Sequence, residues 1–139
     1  MKGQRLALLA SAALIGVALA MTLTNPDEPE YETFATQRLS VYLQDNVCTD
    51  LPTLLGNNLS NACVELVNTN QPQIRSLITK NTLRRDFTFL SLYTTDLRPQ
   101  DLLPSDVQAF LPPGTLPAYR VETVGAFNRF WIYRAEQQQ

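Results

Sequence analysis

Behind a short basic start, MKGQR, the chain runs from Leu6 to Leu23 without a charge: LALLASAALIGVALAMTL, 18 residues. This run constrains the fold most, because it belongs to lipid or to a targeting step and leaves only the residues after Leu23 to build a core. As a helix rising about 1.5 Å per residue it reaches about 27 Å, slightly short of a hydrocarbon core of about 30 Å. Two readings stay open, a retained membrane anchor, which we favour, and a cleaved signal peptide. For the second, Ala18-Leu19-Ala20 supplies the small-x-small form of a cleavage site. Either way Lys2 and Arg5 stay on the cytoplasmic side and everything after Leu23 faces outward. No cysteine stands near the end of the run, which excludes a lipoprotein.

About 110 residues remain, enough for one small domain. Setting Lys2 and Arg5 aside leaves 9 basic against 13 acidic residues, a net charge of −4. That balance excludes nucleic acid as an expected partner. The stretch from Met21 to Thr69 holds one basic residue, Arg38, against seven acids, whereas Asn70 to Gln139 holds eight basic residues against six acids.

Outward placement decides how the two cysteines are read, because disulfides persist in oxidising compartments. Structural zinc needs four thiolate or imidazole ligands, and the chain has two cysteines and no histidine. Cys48 and Cys63 stand 15 apart, which is not the Cys-x-x-Cys of a redox dithiol. A structural disulfide between them is expected, and closing a loop of that size is worth about 3 kcal/mol in the chain-entropy model.

The pattern after the apolar run predicts an α+β domain. TNPDEPE reads as an acidic, proline-containing spacer over residues 24–30. The apolar residues Tyr31, Phe34, Ala35, Leu39, Tyr42, Leu43 and Val47 then keep helical spacing and place a helix near Pro29 to Asn46. A single helical turn is expected near Leu54, a short helix over Asn61–Val67 capped by Ser60, and a third helix from about Pro72 to Asn81. Arg84 to Leu97 reads as one strand. Five prolines between Arg98 and Pro117 predict a long loop with one helical turn near Ser105–Phe110. Asp96, Asp101 and Asp106 lack the spacing and glycine of a calcium loop.

The last segment, AYRVETVGAFNRFWIYRAE, reads as a hairpin turning at Gly125-Ala126, with Val124 opposite Phe127, Glu122 opposite Arg129 and Arg120 opposite Trp131. Its core face collects Tyr119, Val121, Phe130 and Ile132. The other face collects Arg120, Glu122, Phe127, Arg129, Trp131 and Tyr133. The expected domain is thus about three helices on a three-stranded antiparallel sheet over residues 31–135, with a disordered tail at 136–139.

TNP at Thr24 to Pro26, YETFATQRLSVYLQDNVC, QPQIRSLITKNTLRRDFTFLSLYTTDL and YRVETVGAFNRFWIYRAE together resemble a family of small cyanobacterial membrane-anchored or secreted proteins, known only as a domain of unknown function. The resemblance implies an envelope or lumenal location, in the periplasm or thylakoid lumen. It brings no activity, cofactor or catalytic residue with it.

Catalysis is poorly supplied from the residues themselves. Without histidine a serine nucleophile has no ordinary base partner, and the five glycines are too scattered for a phosphate cradle. No cofactor or metal is expected. The basic group Arg75, Lys80, Arg84 and Arg85 reads as solvated charge. We therefore expect a non-enzymatic accessory protein held to a membrane by its N-terminal helix. Its candidate contact face for a protein partner is Arg120, Arg129, Trp131 and Tyr133, residue types enriched in interface hot spots. The alternative is a soluble periplasmic protein that binds a small ligand.

Overall fold

The computed structural model describes residues 1–49, 58–98, 109 and 118–138. The expected helical turn near Leu54 and nearly all of the proline-rich loop, with Asp101 and Asp106, lie outside these residues. Helix α1 (Lys2–Leu23) carries none of its residues buried. By length and composition it suffices to cross a membrane.

Helix α2 (Glu28–Tyr42) starts at a reciprocal cap. Asp27 accepts from the Glu30 backbone N–H and Glu30 accepts from that of Asp27, both at 3.0 Å, so two orphan donors of the first turn are satisfied. Pro29 falls within the first turn, where its missing N–H costs nothing. The last turn widens into a π-helix (Leu43–Cys48) ending at the disulfide. Cys48 is bonded to Cys63 with Cα atoms 5.5 Å apart. That bond ties the end of this first helical unit to α3 (Asn58–Thr69). Ser60 therefore lies inside α3 and is not its cap. Helix α4 (Gln71–Lys80) comes directly after it, with Pro72 in its first turn.

Among the described residues the sheet has four antiparallel strands in the order β1-β2-β3-β4, one more than expected. Arg84–Leu97 is not one strand. It contributes to β1 (Thr82–Asp86) and β2 (Ser91–Leu97), because Asp86 Oδ1 accepts from the Thr88 backbone N–H at 2.8 Å and Thr88 takes a φ of 73°. This Asx-type turn reverses the chain inside a β-favouring run. Strand β3 (Ala118–Ala126) pairs with β2 on one side and with β4 (Arg129–Gln138) on the other. Pairing continues to Gln138, so Glu136 to Gln138 extend the strand where a disordered tail was expected.

The β3–β4 turn is Phe127-Asn128, two residues beyond the expected Gly125-Ala126. Both residues have positive φ, 52° and 55°, the pattern of a type I′ turn. Gly125 serves a different purpose: a Cβ there would meet Pro26 Cγ at 2.8 Å and the Phe130 ring at 3.1 Å. The glycine lets Pro26 lie against the strand. A displacement of two residues preserves the alternation of faces, so Phe130 and Ile132 still share a face with Val121 and Tyr119.

The core lies between that face and helices α2 and α4. Tyr31 stacks on Tyr93 at 4.2 Å between ring centroids, and Phe130 meets both edge-on. Ile74 and Ile78 of α4 close the cluster. Burial pushes the Tyr31 phenol above its ordinary pKa, so it stays neutral and donates. The Thr82 hydroxyl donates to the Ile78 carbonyl, so Thr95 must donate to Thr82 and Tyr31 to Thr95, each at 2.7 Å. This chain gives the hydroxyls of Tyr31, Thr95 and Thr82 their partners beside the aromatic cluster.

Candidate interaction face

The four residues singled out from the sequence do not form one patch. Arg120 lies opposite Glu136, not Trp131, and its guanidinium donates to Asp96 on β2 at 2.8 Å. This exposed ion pair holds the Arg120 pKa above its ordinary value, first through the hydrogen bond to Asp96 and then through its charge. Glu122 is served by Arg134 at 3.6 Å rather than by Arg129. Trp131 opposes Val124, four residues along β3 from Arg120, or about 13 Å at about 3.3 Å per residue. Arg129 pairs with Ala126 immediately after the turn, on the same face as Trp131. Tyr133 is the extra residue of a β-bulge between the pairs Thr123–Ile132 and Glu122–Arg134.

What α2 brings to this stretch of β4 gathers on the face opposite Trp131, around Phe130. Phe34 stacks on Phe130 at 5.0 Å, and the Arg38 guanidinium sits 5.4 Å from the centre of the Phe34 ring. Phe34, Arg38, Phe130, Trp131 and Ile132 line an open cleft of about 270 Å³ along β4. Strand β4 pairs with β3 alone among the described residues, so its other edge carries unpaired backbone groups beside half-exposed Trp131, Ile132 and Tyr133. Sequence reading assigned Phe34 to the core stripe and did not single out Arg38. Their spacing of four on a helix was the available signal, but nothing in it tells that α2 crosses beside β4.

A second polar constellation joins the sheet to the end of α1. Asn25 and Pro26, read from the sequence as spacer, dock on β1 and β2. The Pro26 carbonyl accepts from Tyr93 at 2.7 Å and from Arg84 at 3.2 Å. Arg84 also donates to Tyr93 Oη at 3.1 Å and to Ser91 Oγ at 3.0 Å, and Ser91 donates to the Asn25 side chain at 2.8 Å. The Asn25 amide donates in turn to Asp86 Oδ1 at 3.0 Å and to the Thr88 carbonyl at 3.2 Å. Among the described residues, no three of the metal-ligating types His, Cys, Asp and Glu converge.

The architecture is that of a small disulfide-closed α+β domain carried on an apolar helix. The model of the domain of unknown function DUF4359 matches residues 19–135, and the chain belongs to that family. Neither the curated proteins nor the solved structures provide a match.

Proposed function

We propose that the chain is a non-enzymatic accessory protein, anchored in a membrane by α1 with its domain in the periplasm or thylakoid lumen, and that it meets a protein partner along the Trp131 end of β4. The observation that carries this reading is the β4 edge, open among the described residues. Its unpaired backbone groups and half-exposed aromatic side chains are what strand addition by a partner uses. The apolar α1 and the disulfide support the placement. The lack of histidine supports the non-enzymatic reading.

The alternative, a soluble periplasmic binder of a small ligand, has one observation in its favour, the cleft beside Trp131. At about 270 Å³ it is open and falls below the range of about 300 to 1,000 Å³ usual for ligand sites. The space between helices and sheet is filled by stacked rings. Affinity recovery of the tagged full-length chain from its native membranes, after crosslinking, tests the proposal. Trp131→Ala and Ile132→Lys should lose the recovered partner at an unchanged melting temperature, while Arg120→Ala keeps it. Undiminished recovery with both β4 variants would refute the assignment of this edge.

A further inference from the structure

We infer that the two hairpin tips, Phe87 to Phe89 and Phe127-Asn128, insert into the headgroup region of the bilayer that α1 spans, so that the domain sits down on the membrane in a fixed orientation. The inference rests on the anchored reading proposed for α1 and adds to it a lipid-facing surface.

The geometry begins with α1. Its uncharged run from Leu6 to Leu23 extends about 27 Å at about 1.5 Å per residue, slightly less than a hydrocarbon core of about 30 Å. Thr24 and Asn25 therefore emerge where hydrocarbon gives way to headgroups. Both tips are fastened to these two residues. The Asn128 backbone N–H donates to the Thr24 carbonyl at 2.8 Å, and the Asn25 amide donates to the Thr88 carbonyl at 3.2 Å. Neither tip can lie more than a side chain's length from the end of the membrane helix.

The side chains at the tips suit that position. Phe87, Phe89 and Phe127 are 53%, 47% and 47% exposed. Phenylalanine has no polar tip, and burying its ring at the boundary of headgroups and acyl chains removes apolar surface from water. Phe127 is the most telling. A type I′ turn favours asparagine or glycine, and a bulky side chain at a φ of 52° is held at a conformational cost. Insertion of the half-exposed ring into the headgroup layer offsets that cost. Exposed Arg85 and Arg129 flank the tips, and exposed Asp27, Glu28 and Asp86 share the same end. With both signs present, apolar insertion and not net charge holds the tips, so a neutral phosphatidylcholine surface is sufficient.

The test uses the full chain in two sets of phosphatidylcholine vesicles, one with acyl chains brominated near the headgroup, to read the tip reporters, and one with chains brominated near their ends, to read the reporter in α1. Trp131 is the single tryptophan, so Trp131→Phe gives a silent background. Single reporters are then placed by Phe87→Trp, Phe127→Trp, Leu14→Trp within α1, and Tyr42→Trp at the far end of α2. Loss of emission and a blue shift are expected for both tip reporters and for Leu14→Trp, with neither for Tyr42→Trp. Tip reporters as unquenched as Tyr42→Trp, beside a quenched Leu14→Trp, would overturn tip insertion and leave the anchor standing. An unquenched Leu14→Trp would overturn both. Phe127→Asn suits the turn better and should keep the melting temperature, yet reduce quenching of Phe87→Trp. Undiminished quenching in that variant would overturn joint insertion of the two tips.

Discussion

The two ends of the sheet use the same chemistry, arginine to oxygen, in opposite settings. Beside α1, the Arg84 side chain is 24% exposed and the three groups that accept its hydrogen bonds, on Tyr93, Ser91 and Pro26, are themselves packed. At the far end the Arg120–Asp96 pair is shorter, 2.8 Å, but both side chains are more than two-fifths exposed. Distance alone would rank the far pair higher. Solvent reverses the ranking, because an exposed pair trades hydration for a screened attraction, while a packed donor makes charge-assisted bonds that water replaces less well. The near end thus fixes how the domain leaves α1, and the far end contributes mainly to solubility and strand register.

The largest expected effect is steric. In Gly125→Val a branched side chain would have to displace Pro26 and the Phe130 ring, costing about 3 kcal/mol by overpacking. Chemical denaturation of the full chain in detergent measures it, and a neutral outcome would mean that Pro26 does not lie against β3. Arg84→Ala comes next at about 2 kcal/mol, the cost of losing charge-assisted bonds to packed oxygens. Arg120→Ala should cost no more than about 1 kcal/mol. Equal losses for the two arginines would break the contrast between the ends.

Legibility from sequence divided in the same way. The disulfide needed only a compartment and a pair of cysteines. Helix α2 needed only its stripe, and the hairpin faces survived a misplaced turn because the displacement was even. Features that depend on contacts distant in sequence were hidden. Gly125 looks like a turn residue but is required by Pro26, ninety-nine positions earlier. Phe127-Asn128 lacks the usual Asn-Gly signature. Asp86 turns the chain through its own side chain, in a run whose aromatic and branched residues otherwise favour extension. Arg84, at a strand start and beside Arg85, gave no sign that it would be drawn inward to the Pro26 carbonyl. The candidate face failed as a patch for a related reason. Register sets Trp131 of β4 opposite Val124, four residues along β3 from Arg120, and Phe34 and Arg38 arrive from a helix whose crossing only packing determines.

The smallest expected effect concerns Asp86, which couples the near end to pH. Its carboxylate accepts from the Thr88 backbone N–H, faces Arg84 at 3.6 Å and accepts from Asn25, and these hold its pKa below the ordinary carboxylate value, the backbone bond most of all. A depressed folded pKa means that the unfolded chain takes up the proton first on acidification. The associated stability is therefore complete above the ordinary carboxylate value of about 3.9 and fades as pH falls through the lower folded value. In Asp86→Asn the amide oxygen still accepts from Thr88, so the turn persists, but the titrating charge beside Arg84 is gone. Melting temperatures tracked from neutral pH downward should stay parallel for the two proteins until about pH 4, and below it the wild type should fall more steeply. Parallel curves throughout the acid range would remove Asp86 from the junction's electrostatics and leave its role to the geometry of the turn.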